Sequence, residues 1–392
     1  MVYYLFVSLF LFLNTILKEV IGFKKGKNAI IFLIIFILAF NYQMGVDWIN
    51  YQEFYECVVP CLSFFDVFTK DVFFEKGYVL INFIFYNLGF NYELYMGTIL
   101  SICIYILLNF IYKKSENYYL SFFIFIVFYL FSNSLEPVIR QLIAITLITY
   151  AFEYIEKRKF FHYLIFVIIA FFFHESAIVG IFIYIISLIE INLKRLVFII
   201  FFCYISILNL HFILENLSKI ILPLSRFIGY FNEIKSMKKS LLLNIYFLIT
   251  SFAYMYIVIY CYKYSDKKNN LYKNLAIIFL IIRYFQDIFP LIYRINQYFI
   301  LSFSICMGSF NLITFNKKII FFNKKYLNIL FAIILYIPFI LNMYKVYSSE
   351  LNKFRYFNYK NYFIEMINKN LFKNFNEKAD KYEKEIKKIM RK

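Results

Sequence analysis

An all-α, polytopic integral membrane protein is the fold class this sequence predicts, and three observations carry that expectation. Of 392 residues, 62% are hydrophobic, 54 are Phe and 38 are Tyr, and the mean hydropathy is positive. A soluble domain has no interior large enough to hide that much apolar surface. Apolar runs of span length recur along most of the chain. The net charge of +18 lies in short basic clusters between those runs, the pattern of cytoplasmic loops and anionic-lipid contact rather than of nucleic-acid binding. The excess of Lys, Asn, Ile, Phe and Tyr also fits an AT-rich genome, so no single Phe or Tyr carries weight on its own.

Taken in order, the N-terminal "MVYYLFVSLFLFLNTILK" has no basic leader and no small-residue cleavage site, and reads as a retained span. Apolar runs fall at 2–18, 28–44, 94–112, 118–134, 138–155, 160–174, 176–189, 195–212, 240–261, 271–290, 293–312 and 326–344. Between them lie "KKGK", "YKKSEN" (112–117), "EKRK" (156–159), "LKR" (193–195), "YSDKKNN" (264–270) and "NKK" twice in 316–325. Placing every cluster in the cytoplasm gives about twelve transmembrane helices. That count requires "GYVLINFIFYNLGF" (77–90) to be a re-entrant or interfacial segment. The 45–76 loop, the Glu136 turn, the His174 turn, the 213–239 loop and the Pro290 turn then face outward. The tail after Tyr344 holds 13 Lys and Arg against 6 Asp and Glu, yet the alternation puts it outside too. Either the last run is not a simple crossing or the tail is an outer surface helix. The expected organisation is one membrane domain, 1–345, followed by a basic charged tail, 346–392.

Several chemistries find no support. The six Cys lack metal-ligand spacing to His, and Cys57 and Cys61 share one loop either as a disulfide or as two thiols. No zinc site, phosphate-binding Gly-rich loop, nucleotide fingerprint or Ser-His-Asp order is visible, and there are only nine Gly. No metal and no cofactor is expected.

Charged groups at span depth mark function or a buried pair. Only eight Arg occur, and three sit near outward span ends: Arg140 after "NSLEP", Arg283 in "FLIIRYFQD" and Arg294 in "LIYRINQYF". His174 in "FFFHESA" and Asp47 in "MGVDWINYQEFYE" mark two further outward turns. An Arg guanidinium is a planar fork suited to phosphate oxygens, so two or three could hold a lipid diphosphate without a metal ion. Plainer readings stand beside these. Arg283 and Asp287 are spaced for a helical ion pair, Arg140 and Arg294 for snorkelling, His174 for capping its own turn, and Trp48, the only Trp, for an interfacial anchor. His162 and His211 read as interfacial.

The order of these pieces resembles the EpsG family of polysaccharide polymerases, which belongs with the Wzy-type O-antigen polymerases. "GVDWINYQEFYE" (45–56), "FEKGYVLINFIFYNLGFNYELY" (74–95), "IRQLIAITLITYAFEYIEKRKFFHYLIFVIIAFFFHESAIVGIFIYII" (139–186) and "YRINQYF" (293–299) carry the resemblance. Its most specific pieces are the Arg-Gln helix with the Phe-His-x-Ser-Ala turn after it, and the Gly-x-Asp-aromatic loop before Glu-x-Gly-Tyr. Where the family usually has Glu-Pro-Gly-Tyr, this chain has Glu75-Lys76-Gly77-Tyr78. The missing Pro leaves the entry to that segment less constrained.

The resemblance implies a metal-independent glycosyltransferase of the bacterial cytoplasmic membrane, multi-pass, with its active site on the outer side. It would join undecaprenyl-diphosphate-linked oligosaccharide repeat units into polymer. Arg140 and Arg294, with Arg283, would stabilise the departing diphosphate. His174, Asp47 and Glu75 are the candidate proton acceptors, His174 being the best matched to neutral pH. Trp48, Tyr51 and Tyr55 would offer faces to sugar rings, with Gln141 beside Arg140 as a further sugar contact. Membrane lipids, and a chain-length regulator and flippase of the same pathway, are the other expected partners. An O-antigen-type ligase, a flippase or transporter of the lipid-linked unit, and a polysaccharide acyltransferase are the competing classes.

Overall fold

A computed structural model describes residues 8–14, 26–42, 47–131, 139–189, 270–286, 292–308, 360–368 and 375–390, with 198, 336, 340, 347, 348, 350 and 354 as single positions. The expected spans 195–212, 240–261 and 326–344, the Glu136 turn, the 213–239 loop, Asp287, Pro290 and His211 lie outside those residues, apart from positions 198, 336 and 340. Among the described residues every regular element is helical, and extended chain pairs at one isolated bridge, Asn41 with Asn361. The all-α expectation holds there. Two compact units are present, Met1–Ile178 with Phe315–Lys392, and Val179–Thr314.

In the first unit, helix α1 (Lys27–Leu38) is apolar on every side, as a lipid-embedded helix is. The short helix α2 (Trp48–Glu53) follows, then α3 (Lys76–Asn87) and α4 (Tyr92–Lys114). At 23 residues, α4 is the described helix long and apolar enough to cross a membrane by itself. Its length of about 34 Å exceeds a hydrocarbon core of about 30 Å. Sequence sets both its ends. The Asn91 side chain accepts the Leu94 N–H at 2.9 Å, while Lys113 and Lys114 in the last turn complement the helix dipole. Helix α5 (Tyr118–Phe125) is capped the same way by Asn117. Helix α6 (Ile139–Tyr150) and helix α7 (Phe160–Phe171) follow, packed on one another, with α6 also against α4.

Ion pairs and turns fix which helix ends lie together. Lys114 Nζ meets Glu156 at 2.7 Å, so the end of α4 and the start of α7 share one end of the bundle. Lys113, Lys157, Arg158 and Lys159 flank that pair in sequence. Lys27 joins from α1, its Nζ donating to Asn109 at 2.7 Å. The far end therefore collects the start of α4, the end of α7 and the start of α6. Helix α3 spans between two of these. At its first turn the Gly77 N–H donates to the Phe172 carbonyl, just past α7, at 2.8 Å. At its last turn Phe85 packs on Tyr95 of α4 at 5.1 Å between centroids. Twelve residues, about 18 Å, cannot cross a bilayer core, and both helix ends touch the same end of the bundle.

Two glycines make this turn of chain feasible. A Cβ on Gly77 would stand 2.7 Å from the Phe172 carbonyl oxygen. Gly89 has φ +80, the left-handed conformation that ends α3 and redirects the chain into α4.

The stretch after 359, which includes helix α11 (Tyr362–Ile367), docks on this same end. The Tyr42 N–H donates to the Lys360 carbonyl and the Tyr362 N–H to the Phe40 carbonyl, each at 2.9 Å. Asn91 Nδ2 donates to the Tyr362 hydroxyl at 2.9 Å.

In the second unit, helix α8 (Val179–Leu188) is closed at its C-terminus by Asn274 of helix α9 (Asn270–Gln286). The Asn274 amide donates to the Ile189 carbonyl at 2.8 Å. Helix α9 packs on helix α10 (Ile300–Gly308) through Phe279 stacked on Phe303, centroids 4.7 Å apart. The expected run 293–312 is thus interrupted, with a five-residue helix Ile292–Asn296 and a turn before α10.

Candidate active site

Arg140 is the second residue of α6, and its guanidinium meets side chains from two separate stretches. Its Nη1 is ion-paired with the Glu75 carboxylate, immediately before α3. Its Nε faces the Tyr51 hydroxyl of α2 at 3.4 Å, and its guanidinium carbon lies 4.9 Å from the Phe74 ring centroid. Both side chains of the pair are largely covered, at 18% and 17% exposure for Arg140 and Glu75. Phe74 in turn packs on Tyr51 at 5.4 Å and on Tyr78 at 5.3 Å. The cation is thus held over an aromatic ring with one carboxylate partner. Such a partly covered pair fixes a guanidinium's direction while leaving donors for another anion.

Tyr51 senses the whole cluster. Burial raises its phenol above the usual value, Arg140 pulls it down, and the Asp47 and Glu75 carboxylates push it up again. Asp47 is therefore an electrostatic neighbour of the same hydroxyl, one turn earlier at the start of α2, where its carbonyl accepts the Tyr51 N–H at 3.2 Å.

His174 arrives through the Gly77–Phe172 contact. The turn after α7 carries Phe172, Phe173 and then His174, buried at 6% exposure. The Ser176 backbone N–H lies 3.2 Å from His174 Nδ1, and the Ser176 hydroxyl 2.6 Å from it. A backbone N–H only donates, so Nδ1 is the acceptor and the neutral ring carries its hydrogen on Nε2. In that tautomer the remaining nitrogen is a donor, which bears on the expectation of His174 as the proton acceptor.

Other expected site residues are placed differently. Gln141 is fully buried beside Arg140 in α6. The expectation put Trp48, Tyr51 and Tyr55 as open faces for sugar rings, whereas all three rings are covered by protein. Tyr55 stacks on Tyr95 at 4.9 Å and donates its hydroxyl to the Phe90 carbonyl at 2.7 Å. Trp48 meets Tyr382 edge-on at 5.2 Å. Arg283, in the last turn of α9, and Arg294, exposed in Ile292–Asn296, both belong to the second unit. Cys57 and Cys61 are both free thiols and exposed. No group of three or more His, Cys, Asp or Glu suited to a metal ion occurs among the described residues.

Sequence reasoning missed Phe74 and Tyr78, which shape the floor under Arg140. Their signal was present in "FEKGY", where the aromatics flank the Glu-x-Gly step. It also missed Lys378, whose contacts follow below.

Compared with known proteins, the chain matches the model of the EpsG family over residues 26–363. Neither the curated proteins nor the solved structures include a match.

Proposed function

Because this chain belongs to the EpsG family, a Wzy-type polymerase-like family of membrane proteins, we propose that it polymerises undecaprenyl-diphosphate-linked oligosaccharide repeat units at the outer face of the bacterial cytoplasmic membrane. The observation that carries this reading is Arg140, held by Glu75, Tyr51 and Phe74 at the bundle end opposite the Lys114–Glu156 pair. With the Lys clusters cytoplasmic by the positive-inside tendency, the Arg140 end faces outward. About twelve crossings follow if each remaining apolar run spans, with α3 lying at the outer boundary.

In the reaction, the bond between the anomeric carbon of the growing chain and its lipid diphosphate breaks. The hydroxyl of the incoming unit's terminal sugar forms the new glycosidic bond and gives up its proton. The diphosphate leaves with the bonding electrons, and Arg140 stabilises the charge that develops there. Glu75 is engaged by Arg140, which suits it to orienting the guanidinium more than to proton transfer. Asp47, beside Tyr51 and at the same end, is then the favoured proton acceptor, and His174 a hydrogen-bond donor to a diphosphate or sugar oxygen. Arg283 and Arg294, in the second unit, are assigned no role in this reading.

Sizing the lipid-linked oligosaccharides of a deletion strain tests this. Single repeat units accumulating outside on their carrier, with no polymer, support a polymerase. Units trapped inside would mean a flippase, and long polymer still on its lipid would mean a ligase.

A further inference from the structure

The family match ends at residue 363, and beyond it lies helix α12 (Phe375–Met390). Its composition reads as a solvated surface helix, with Lys and Glu through most of its length. One of those lysines is not solvated. Lys378 is only 4% exposed, a rare state for this residue type unless it is paired. Its Nζ donates to Gln52 Oε1 at 2.7 Å and to Glu93 Oε1 at 2.5 Å. It also stands 4.5 Å from the Tyr42 ring centroid and 5.4 Å from that of Trp48. Four residues later, and so on the same face of α12, Tyr382 meets Trp48 edge-on.

A single ammonium thus ties α12 to α2 through Gln52 and to the first turn of α4 through Glu93. Helix α2 needs such a tie. It runs on through a π-helical turn (Phe54–Val58) and a 3₁₀ turn (Val59–Cys61) and has no side-chain cap at its N-terminus, so its placement depends on tertiary contacts. Its residue next to Gln52 is Tyr51, whose hydroxyl meets Arg140. Burial lowers the Lys378 pKa and Glu93 opposes that shift. A buried cation stripped of its carboxylate would be costly, so the contact is directional rather than a loose hydrophobic cover.

We infer that Lys378 is a positioning residue of the Arg140 site: the helix appended beyond the family-matched region clamps α2 against α4, and that clamp holds Tyr51 beside the guanidinium. The inference rests on the proposed function for its catalytic consequence, but not for the clamp itself.

The test uses the purified full-length protein, whose only tryptophan, Trp48, lies under α12. Lys378→Met and Lys378→Arg are compared with wild type by Trp48 emission, by quenching with acrylamide, and by polymerisation of a lipid-linked repeat unit. Lys378→Met should red-shift and expose Trp48. It should also lower kcat about tenfold with little change in KM, the scale of a small misplacement of a catalytic group. Lys378→Arg, which keeps the charge, should restore both. Adding Tyr51→Phe to Lys378→Met should cost little more than the worse single change, since both act on one contact. Unchanged Trp48 emission in Lys378→Met overturns the clamp. Changed emission with full activity, or strictly additive losses with Tyr51→Phe, overturns the positioning role. A wild-type protein that forms no polymer would sink the functional reading instead, and Trp48 emission would then judge the clamp alone.

Discussion

Arg140 and Glu75, 65 residues apart in the chain, share an ion pair in which the carboxylate occupies one side of the guanidinium and the Tyr51 hydroxyl faces its Nε. The pair joins the start of α6 to the entry of α3. Through Gly77 and Phe172 that entry also touches the turn that carries His174. Four stretches widely separated in sequence thus meet at one end of a helical bundle.

Replacing Glu75 by Gln keeps the shape and removes the charge. Polymer yield should fall about tenfold, which corresponds to about 1.4 kcal/mol and lies between the effects of exposed and fully buried pairs. Membrane levels of the protein should not change. The measurement is polymer per unit of protein in a complemented deletion strain. Wild-type yield would mean that Arg140 needs no partner there.

Gly77→Ala should destabilise the first unit. The added Cβ meets the backbone oxygen of Phe172 at 2.7 Å and its Cβ at 3.2 Å, and neither neighbour is a flexible side-chain tip. A loss of about 1–3 kcal/mol is expected, read as a lower melting temperature in detergent. An unaltered melting temperature would show that α3 can move away from the α7 turn at no cost.

Cys57 and Cys61 are exposed on the α2 side of the bundle, whereas Cys103 and Cys306 are buried. In a variant with Cys203 and Cys261 replaced by Ser, a membrane-impermeant maleimide added to intact cells stripped of their outer layers should label Cys57 and Cys61 and spare Cys103 and Cys306. Labelling of Cys57 and Cys61 only after the membrane is opened would place the Arg140 end in the cytoplasm and remove the proposed orientation.

Polymerisation should also persist in excess chelator, since the diphosphate charge is assigned to the Arg140 guanidinium. Loss of activity that added Mg²⁺ or Mn²⁺ restores would replace that assignment with a metal-bridged one.

Much of the helical frame was legible because its signals are local. The 94–112 run, closed by the basic cluster at 112–117, reads directly as α4, and the break at His174 separates two apolar runs. Arg140 stood out because Arg at span depth is costly. Glu75 is legible as a candidate proton acceptor, but not as the partner of Arg140. Its partner lies 65 residues away, and no spacing rule links a loop residue to a helix start across that distance. The covering of Trp48 was hidden for a similar reason. Its aromatic neighbour Tyr382 and the cation Lys378 sit in a tail whose composition signals solvent, and burial of one lysine in such a helix depends on tertiary contacts alone. The segment 77–90 was ambiguous by length, and the contacts of Gly77 and Phe85 that bring both ends of α3 to one end of the bundle are tertiary.

The most direct measurement pairs purified wild-type protein with Arg140→Ala and Arg140→Lys on an undecaprenyl-diphosphate-linked repeat unit, with product length read by gel. Polymer from wild type, none from Arg140→Ala and sharply reduced polymer from Arg140→Lys is the result expected of a guanidinium that stabilises the departing diphosphate. Polymer of normal length and amount from Arg140→Ala, with the protein folded and inserted, would contradict it.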